Sequence, residues 1–213
     1  MRLEGQRWRT LVSTVRLGRA EYRVVRPARP IAHAPLHEGY HGAQLTVDKT
    51  AALTIGMAWA FAARSPHTLV YLPLRHNDRH CSGYSCDEPV LDLVLLHHSL
   101  GFPASRWKEV RAKLGPGRPH TVVCQGLPKL TGPVERYHRE FKDKLHHDIA
   151  AHTVVLTGSR KAFEIEGDAL RALVEECPQH MHENPGTHCC AEINVDGLWQ
   201  WLHIEYCAEH RVH

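Results

Sequence analysis

Nineteen histidines and seven cysteines stand out in this chain of 213 residues, and their densest grouping is His76-Asn77-Asp78-Arg79-His80-Cys81-Ser82-Gly83-Tyr84-Ser85-Cys86-Asp87. Zinc takes four nitrogen or sulfur donors in a tetrahedron. His76, His80, Cys81 and Cys86 offer that chemistry. His80 and Cys81 are adjacent and reach one ion together only if the chain turns sharply. Three donors from this loop, completed by His97, His98 or a C-terminal residue, make the easier geometry. A fourth position left open to water would suit hydrolysis, because a metal-bound water is acidified into a nucleophile. The spacing matches no zinc-finger pattern. The plain alternative is a polar surface loop that happens to hold thiols and imidazoles.

A second grouping runs Cys177-Pro178-Gln179-His180-Met181-His182-Glu183 and then His188-Cys189-Cys190. Cys177 falls on the apolar side of a helical pattern and reads as a core thiol. His180 and His182 would share a side if extended. Cys189 and Cys190 must point to opposite faces of a strand, so at most one of them serves any site. His203-Ile204-Glu205 puts an imidazole and a carboxylate on one strand face. His97-His98 ends an apolar strand, where a histidine is an acid–base or ligand candidate. His37-Glu38-Gly39-Tyr40-His41 spells the zincin pentapeptide, but that motif works on a helix. Gly39 lies within it, and Pro35 and Gly42 flank it. Walker-type and dinucleotide-binding glycine loops, the nucleophile elbow and the zinc-deaminase signature are all missing.

The elements that must position these groups follow from periodicity. Leu11–Leu17 and Glu21–Arg26 read as a hairpin around Gly18, and residues 31–45 as loop. Asp48 caps a helix over 49–64 that is apolar nearly all round, and therefore buried. Strands are expected at 67–72, 90–96, 120–124 and 152–156. Helices are expected at 105–114, at 134–149 after Pro133, and at 168–177, ended by Pro178. A C-terminal hairpin turns at Asp196-Gly197. Three strands open alike, as His67-Thr68-Leu69-Val70, His120-Thr121-Val122-Val123 and His152-Thr153-Val154-Val155. Apolar runs without alternation suit strands covered on both faces, and the three histidines then read as structural residues at strand starts. The predicted class is α/β, a partly parallel central sheet with flanking helices and a β-hairpin at each end. It forms a single domain over 1–213: a basic hairpin and loop arm at 1–45, a core at 46–187 and a hairpin at 188–213. If the strands at 67–72 and 90–96 pair antiparallel, His97 and His98 lie at the opposite rim from His76.

Composition is that of an ordinary globular domain, 43% hydrophobic and 23% charged. The most apolar stretch, residues 51–63, is too short to cross a bilayer, so no membrane association is expected. No signal peptide fits the N-terminus. An odd cysteine count suits free or metal-bound thiols in a reducing cytoplasm. Charge is polarised: residues 1–30 carry eight arginines against two glutamates, whereas residues 161–213 carry three cations against ten carboxylates.

These features point to a cytosolic, zinc-dependent hydrolase acting on a small anionic substrate such as a phosphoester. Its metal is held by His76, His80, Cys81 and Cys86, with His97 and His98 as acid–base groups. Arg75, Arg79 or Arg160 holds the anion. Two other readings remain open. One is a nucleic-acid-binding protein using the arginine-rich hairpin, with Arg16, Arg19 and Arg23 on the phosphates. The other is a metal-free enzyme using histidine acid–base chemistry on a small molecule.

Overall fold

A computed structural model describes residues 1–39, 42–77, 89–132, 134 and 140–208, and among them the chain forms two sheets and four α-helices. The main sheet has seven strands, β1 (Arg7–Leu17), β2 (Ala20–Pro27), β5 (Thr68–Leu72), β6 (Asp92–His97), β7 (Arg118–Val123), β8 (His146–Ile149) and β9 (Thr153–Gly158), in the order β7-β1-β2-β5-β6-β9-β8. The second sheet has four, β3 (Leu36–Gly39), β4 (Gly42–Val47), β10 (Cys190–Val195) and β11 (Leu198–Tyr206), in the order β10-β11-β4-β3. The helices are α1 (Lys49–Arg64), α2 (Trp107–Ala112), α3 (Arg160–Glu175) and α4 (Cys177–Glu183). The architecture is α/β, with a partly parallel sheet and a hairpin near each end, as the sequence indicates. Among the described residues no helix is long and apolar enough to cross a membrane.

Helix α1 starts where Asp48 accepts the Ala51 N–H at 2.7 Å, and it buries most of its circumference, leaving a stripe through Thr50, Leu53, Thr54, Phe61 and Arg64 exposed or only partly covered. Both α1 and α3 touch strands of the two sheets. Trp59 of α1 donates its indole N–H to the Phe163 carbonyl at 2.8 Å, with the two rings edge to face. The opposite face of the main sheet packs on α2, where Trp107 and Val110 meet Tyr22, Val24, Leu69, Tyr71, Val94 and Leu96. All five residues of β5 are buried. Alternate ones enter the two cores, Leu69 on the α2 side and Val70 on the α1 side.

Strand directions are mixed. β2 runs parallel to β5, β5 antiparallel to β6, and β6 parallel to β9. His97, at the end of β6, therefore lies at the rim opposite to His76, and the two cannot serve one site. Asp92, the lone polar residue expected inside its strand, is 1% exposed. It is satisfied by the Tyr71 hydroxyl, the Leu74 and Arg75 N–H groups, and the Arg75 and Arg111 guanidiniums.

Several expectations need correction. Residues 36–39 and 42–47 are strands rather than loop. Gly42 (φ +133°) is required there, because a Cβ would sit 2.0 Å from the Trp201 carbonyl oxygen. The helix expected over 134–149 gives way, in its second half, to β8. Pairing of His146–Ile149 with β9 outweighs the helical spacing of Phe141, Leu145 and Ile149. Residues 133 and 135–139, including His138, lie outside the described residues. β7 is an exposed antiparallel edge strand, not a doubly covered one. Helix α3 begins at Arg160, capped by Ser159 onto the Ala162 N–H. Pro178 opens α4 instead of ending a helix, because its missing N–H is harmless in a first turn.

Candidate metal site

The outward face of the second sheet gathers the chemistry. Along β10 the alternation buries Ala191, Ile193 and Val195, leaving Cys190, Glu192 and Asn194 on the other side. On β11 Leu202 and Ile204 are buried, and His203 and Glu205 share that outward face. Register pairs Glu192 with His203 and Cys190 with Glu205, so Cys190 is the diagonal neighbour of His203. His188, just before β10, stacks its ring on that of His203 with centroids 5.4 Å apart and planes 10° from parallel.

The outcome is a donor trio. One ligand atom from each of His188, Cys190 and His203 lies within 4.8 Å of the others. Tetrahedral zinc holds its donors about 3.3–3.8 Å apart, so the cluster would contract by at most about 1.5 Å around an ion. Two carboxylates back the imidazoles. Glu192 meets Nδ1 of His203 at 2.5 Å and also accepts from the Cys190 thiol at 3.6 Å. Glu205 lies 3.6 Å from Nδ1 of His188 and accepts from the Gln44 amide at 3.5 Å. With no ion bound, burial and the neighbouring Glu192 and Glu205 push the Cys190 thiol up to about 11. A cation at the trio reverses that balance, since a coordinating thiol is deprotonated.

The segment carrying two of these donors is anchored. Cys189, between His188 and Cys190, forms a disulfide with Cys177, with 6.0 Å between their Cα atoms. The expected division of the two adjacent cysteines is realised, one toward the cluster and one away. Cys177 lies in the core as expected, and its sulfur there is cross-linked.

The other sequence candidates disperse. His80, Cys81, Cys86 and Arg79 lie outside the described residues. His76 is exposed and borders a shallow cleft with His33 and Asn77. Arg75 is committed to Asp92 at 2.7 Å and Arg160 to Glu164 at 2.8 Å, so both charges are already matched. His37 and Glu38 sit on β3, where neighbours face opposite sides, which removes the helix a zincin needs. His41 lies outside the described residues. His180 and His182 are exposed on α4 and, two apart on a helix, do not share a face.

His97 is held on both nitrogens. Its Nε2 accepts the Arg160 N–H at the start of α3, at 3.2 Å. Nδ1 accepts the Ser99 N–H at 3.2 Å and lies 2.8 Å from the Ser99 hydroxyl, which donates to the Pro66 carbonyl. Burial and the nearby His98 and His67 hold His97 below the usual imidazole range. That arrangement makes His97 a tie between β6 and α3, with His98 exposed beside it. A separate pair, His146 and His147, clamps Asp196 at the hairpin turn, at 2.5 and 2.6 Å.

Sequence reasoning placed His188 and Cys190 in one grouping and His203 in another. The signal that could unite them was the Asp196-Gly197 turn. Counting outward from it puts Cys190 opposite His203. An irregularity between Ile193 and Val195, with Gln200 at φ 58°, shifts the pairing and brings Glu192 opposite His203 instead. No family model, no curated protein and no solved structure matches this chain.

Proposed function

We propose that this protein is a zinc-type metal-dependent hydrolase whose ion is bound by His188, Cys190 and His203. The observation that carries the reading is the convergence of those three donors within 4.8 Å on one sheet face. Two imidazoles and a thiolate suit zinc. Three protein donors leave the fourth tetrahedral position to water, which is the composition of a hydrolytic centre rather than a structural one. Glu192 takes the role of the outer carboxylate that fixes a ligating imidazole. It also borders a cavity of about 520 Å³ with Asn194, Trp199 and Ile165, a place for a substrate beside the ion. The compartment bears on the same segment. In a reducing cytosol the Cys177–Cys189 bridge opens, whereas an oxidising compartment preserves it.

Metal analysis of protein purified without chelator tests the reading. About one equivalent of a zinc-type ion per chain is expected, falling to background in His203→Ala and Cys190→Ser. Less than about 0.2 equivalents in the unmodified chain overturns it. Hydrolytic activity on a panel of esters and phosphoesters is expected to vanish on chelation and return with zinc. Activity that survives full chelation moves the chemistry away from the metal.

A further inference from the structure

The α1-side face of the β1–β2 hairpin holds a feature that the metal reading does not use. β7 pairs with β1 only as far as Arg118 opposite Val12, and Gly115-Pro116-Gly117 lies just before that pairing starts. Helix α1 ends at Arg64. A stretch of the main sheet thus borders an open cleft of about 950 Å³. Among the described residues no aspartate or glutamate lines it, but two arginines and two histidines do, Arg23, Arg118, His67 and His120. All four are exposed, and neither arginine makes an ion pair among the described residues.

Register sharpens this. Thr14 is opposite Arg23 on β2, while Val12 and Thr10 are opposite Arg118 and His120 on β7. Residues two apart on a strand share a face, and so do direct partners. Arg23, Thr14, Arg118 and His120 therefore rise from one face of three neighbouring strands. The two arginines stand on the outer strands, about 12 Å apart at the backbone. Long side chains from that spacing converge on one anion between them, and planar guanidiniums match a phosphate in pairs. Thr14 adds a hydroxyl at the midpoint. The half-buried ring of Phe61 supplies an apolar wall. The volume is at the upper end of the roughly 300–1,000 Å³ that small-molecule sites occupy, larger than a bare phosphate needs. We propose that this cleft binds a nucleoside monophosphate, with its phosphate between Arg23 and Arg118 and its base toward Phe61.

Calorimetric titration of the full chain with adenosine 5′-monophosphate tests the proposal, with adenosine and a single-stranded oligonucleotide of about 12 nucleotides as the other probes. Saturable binding of the nucleotide is expected, with adenosine at least about tenfold weaker because the charge-assisted contacts are missing. Arg23→Gln combined with Arg118→Gln should weaken the nucleotide at least about tenfold. Arg7→Gln combined with Arg9→Gln, exposed on the opposite face of β1, should leave it unchanged, as should His203→Ala. Thermal melts matched to the parent chain establish that each variant folds. No nucleotide binding up to about 5 mM overturns the proposal. So does equal loss in the Arg7/Arg9 pair, or binding of the oligonucleotide without the mononucleotide, which would assign the charge to a general nucleic-acid surface.

Discussion

Glu192 and His203 face each other across the β10–β11 ladder, and the carboxylate holds Nδ1 of the imidazole at 2.5 Å. In the neutral ring that contact puts the proton on Nδ1 and leaves the Nε2 lone pair for an ion. Removing the carboxylate's charge should loosen the ring without deleting a ligand. Glu192→Gln is expected to keep the fold and weaken zinc binding about 10–100-fold, the usual cost of losing an outer partner. Competition against a chromophoric chelator measures it. Unchanged affinity would remove Glu192 from the site.

The disulfide that anchors His188 and Cys190 joins residues 12 apart in the chain. Opening a loop of that size costs about 2–3 kcal/mol in the chain-entropy picture. Cys177→Ser should lower the urea midpoint accordingly, and a dithiol reductant should reproduce the shift in the parent chain but add nothing in the variant. Because His188 and Cys190 flank the tethered residue, zinc should bind more weakly in the same samples. A variant as stable as its parent would contradict this.

Asp92 is the most heavily committed charge described. Its carboxylate is 1% exposed and meets two guanidiniums and a tyrosine. Deleting one partner of a buried ionic group leaves the others unmatched, at about 3–5 kcal/mol. Asp92→Ala is expected to lose that much in denaturant unfolding. A loss under about 1 kcal/mol would mean the network is solvent-compensated.

Acid should release the hairpin turn. Burial pushes the Asp196 carboxyl up, but the His147 N–H and the two imidazoles outweigh it, so it titrates below its ordinary 3.8. A carboxyl depressed in the folded state adds stability above its unfolded value and loses it as pH falls through the folded one. The gap in stability between the parent chain and Asp196→Asn is therefore expected to be full above about pH 5 and to close progressively below about pH 4. A gap that does not change with pH would disprove the clamp.

What the sequence discloses here is local. The Asp48 cap, the all-apolar α1 and the Asp196-Gly197 turn lie in short spans, and each forms where its pattern indicates. Tertiary pairing overrode pattern elsewhere. Residues 146–149 carry a helical stripe yet complete an edge of the main sheet, and 36–47 have the glycines and histidines of a loop yet form two strands. The donor trio was half legible. The opposed faces of Cys189 and Cys190, and the shared face of His203 and Glu205, follow from alternation alone. The Asp196-Gly197 turn already brings Cys190 across from His203, but the register that sets Glu192 directly opposite depends on a ladder irregularity near Gln200 that no residue type announces.

The second sheet joins β4 to β11 in parallel, and across that pair Gln44 reaches Glu205, 161 positions away along the chain. Such a contact forms only after a long loop has closed. During synthesis β3 and β4 emerge well before that partner. The face that carries His188, Cys190 and His203 is thus complete only once that loop has closed. A chain truncated before β11 would present the open flank of β4 to other strands, the kind of unpaired edge from which aggregation starts.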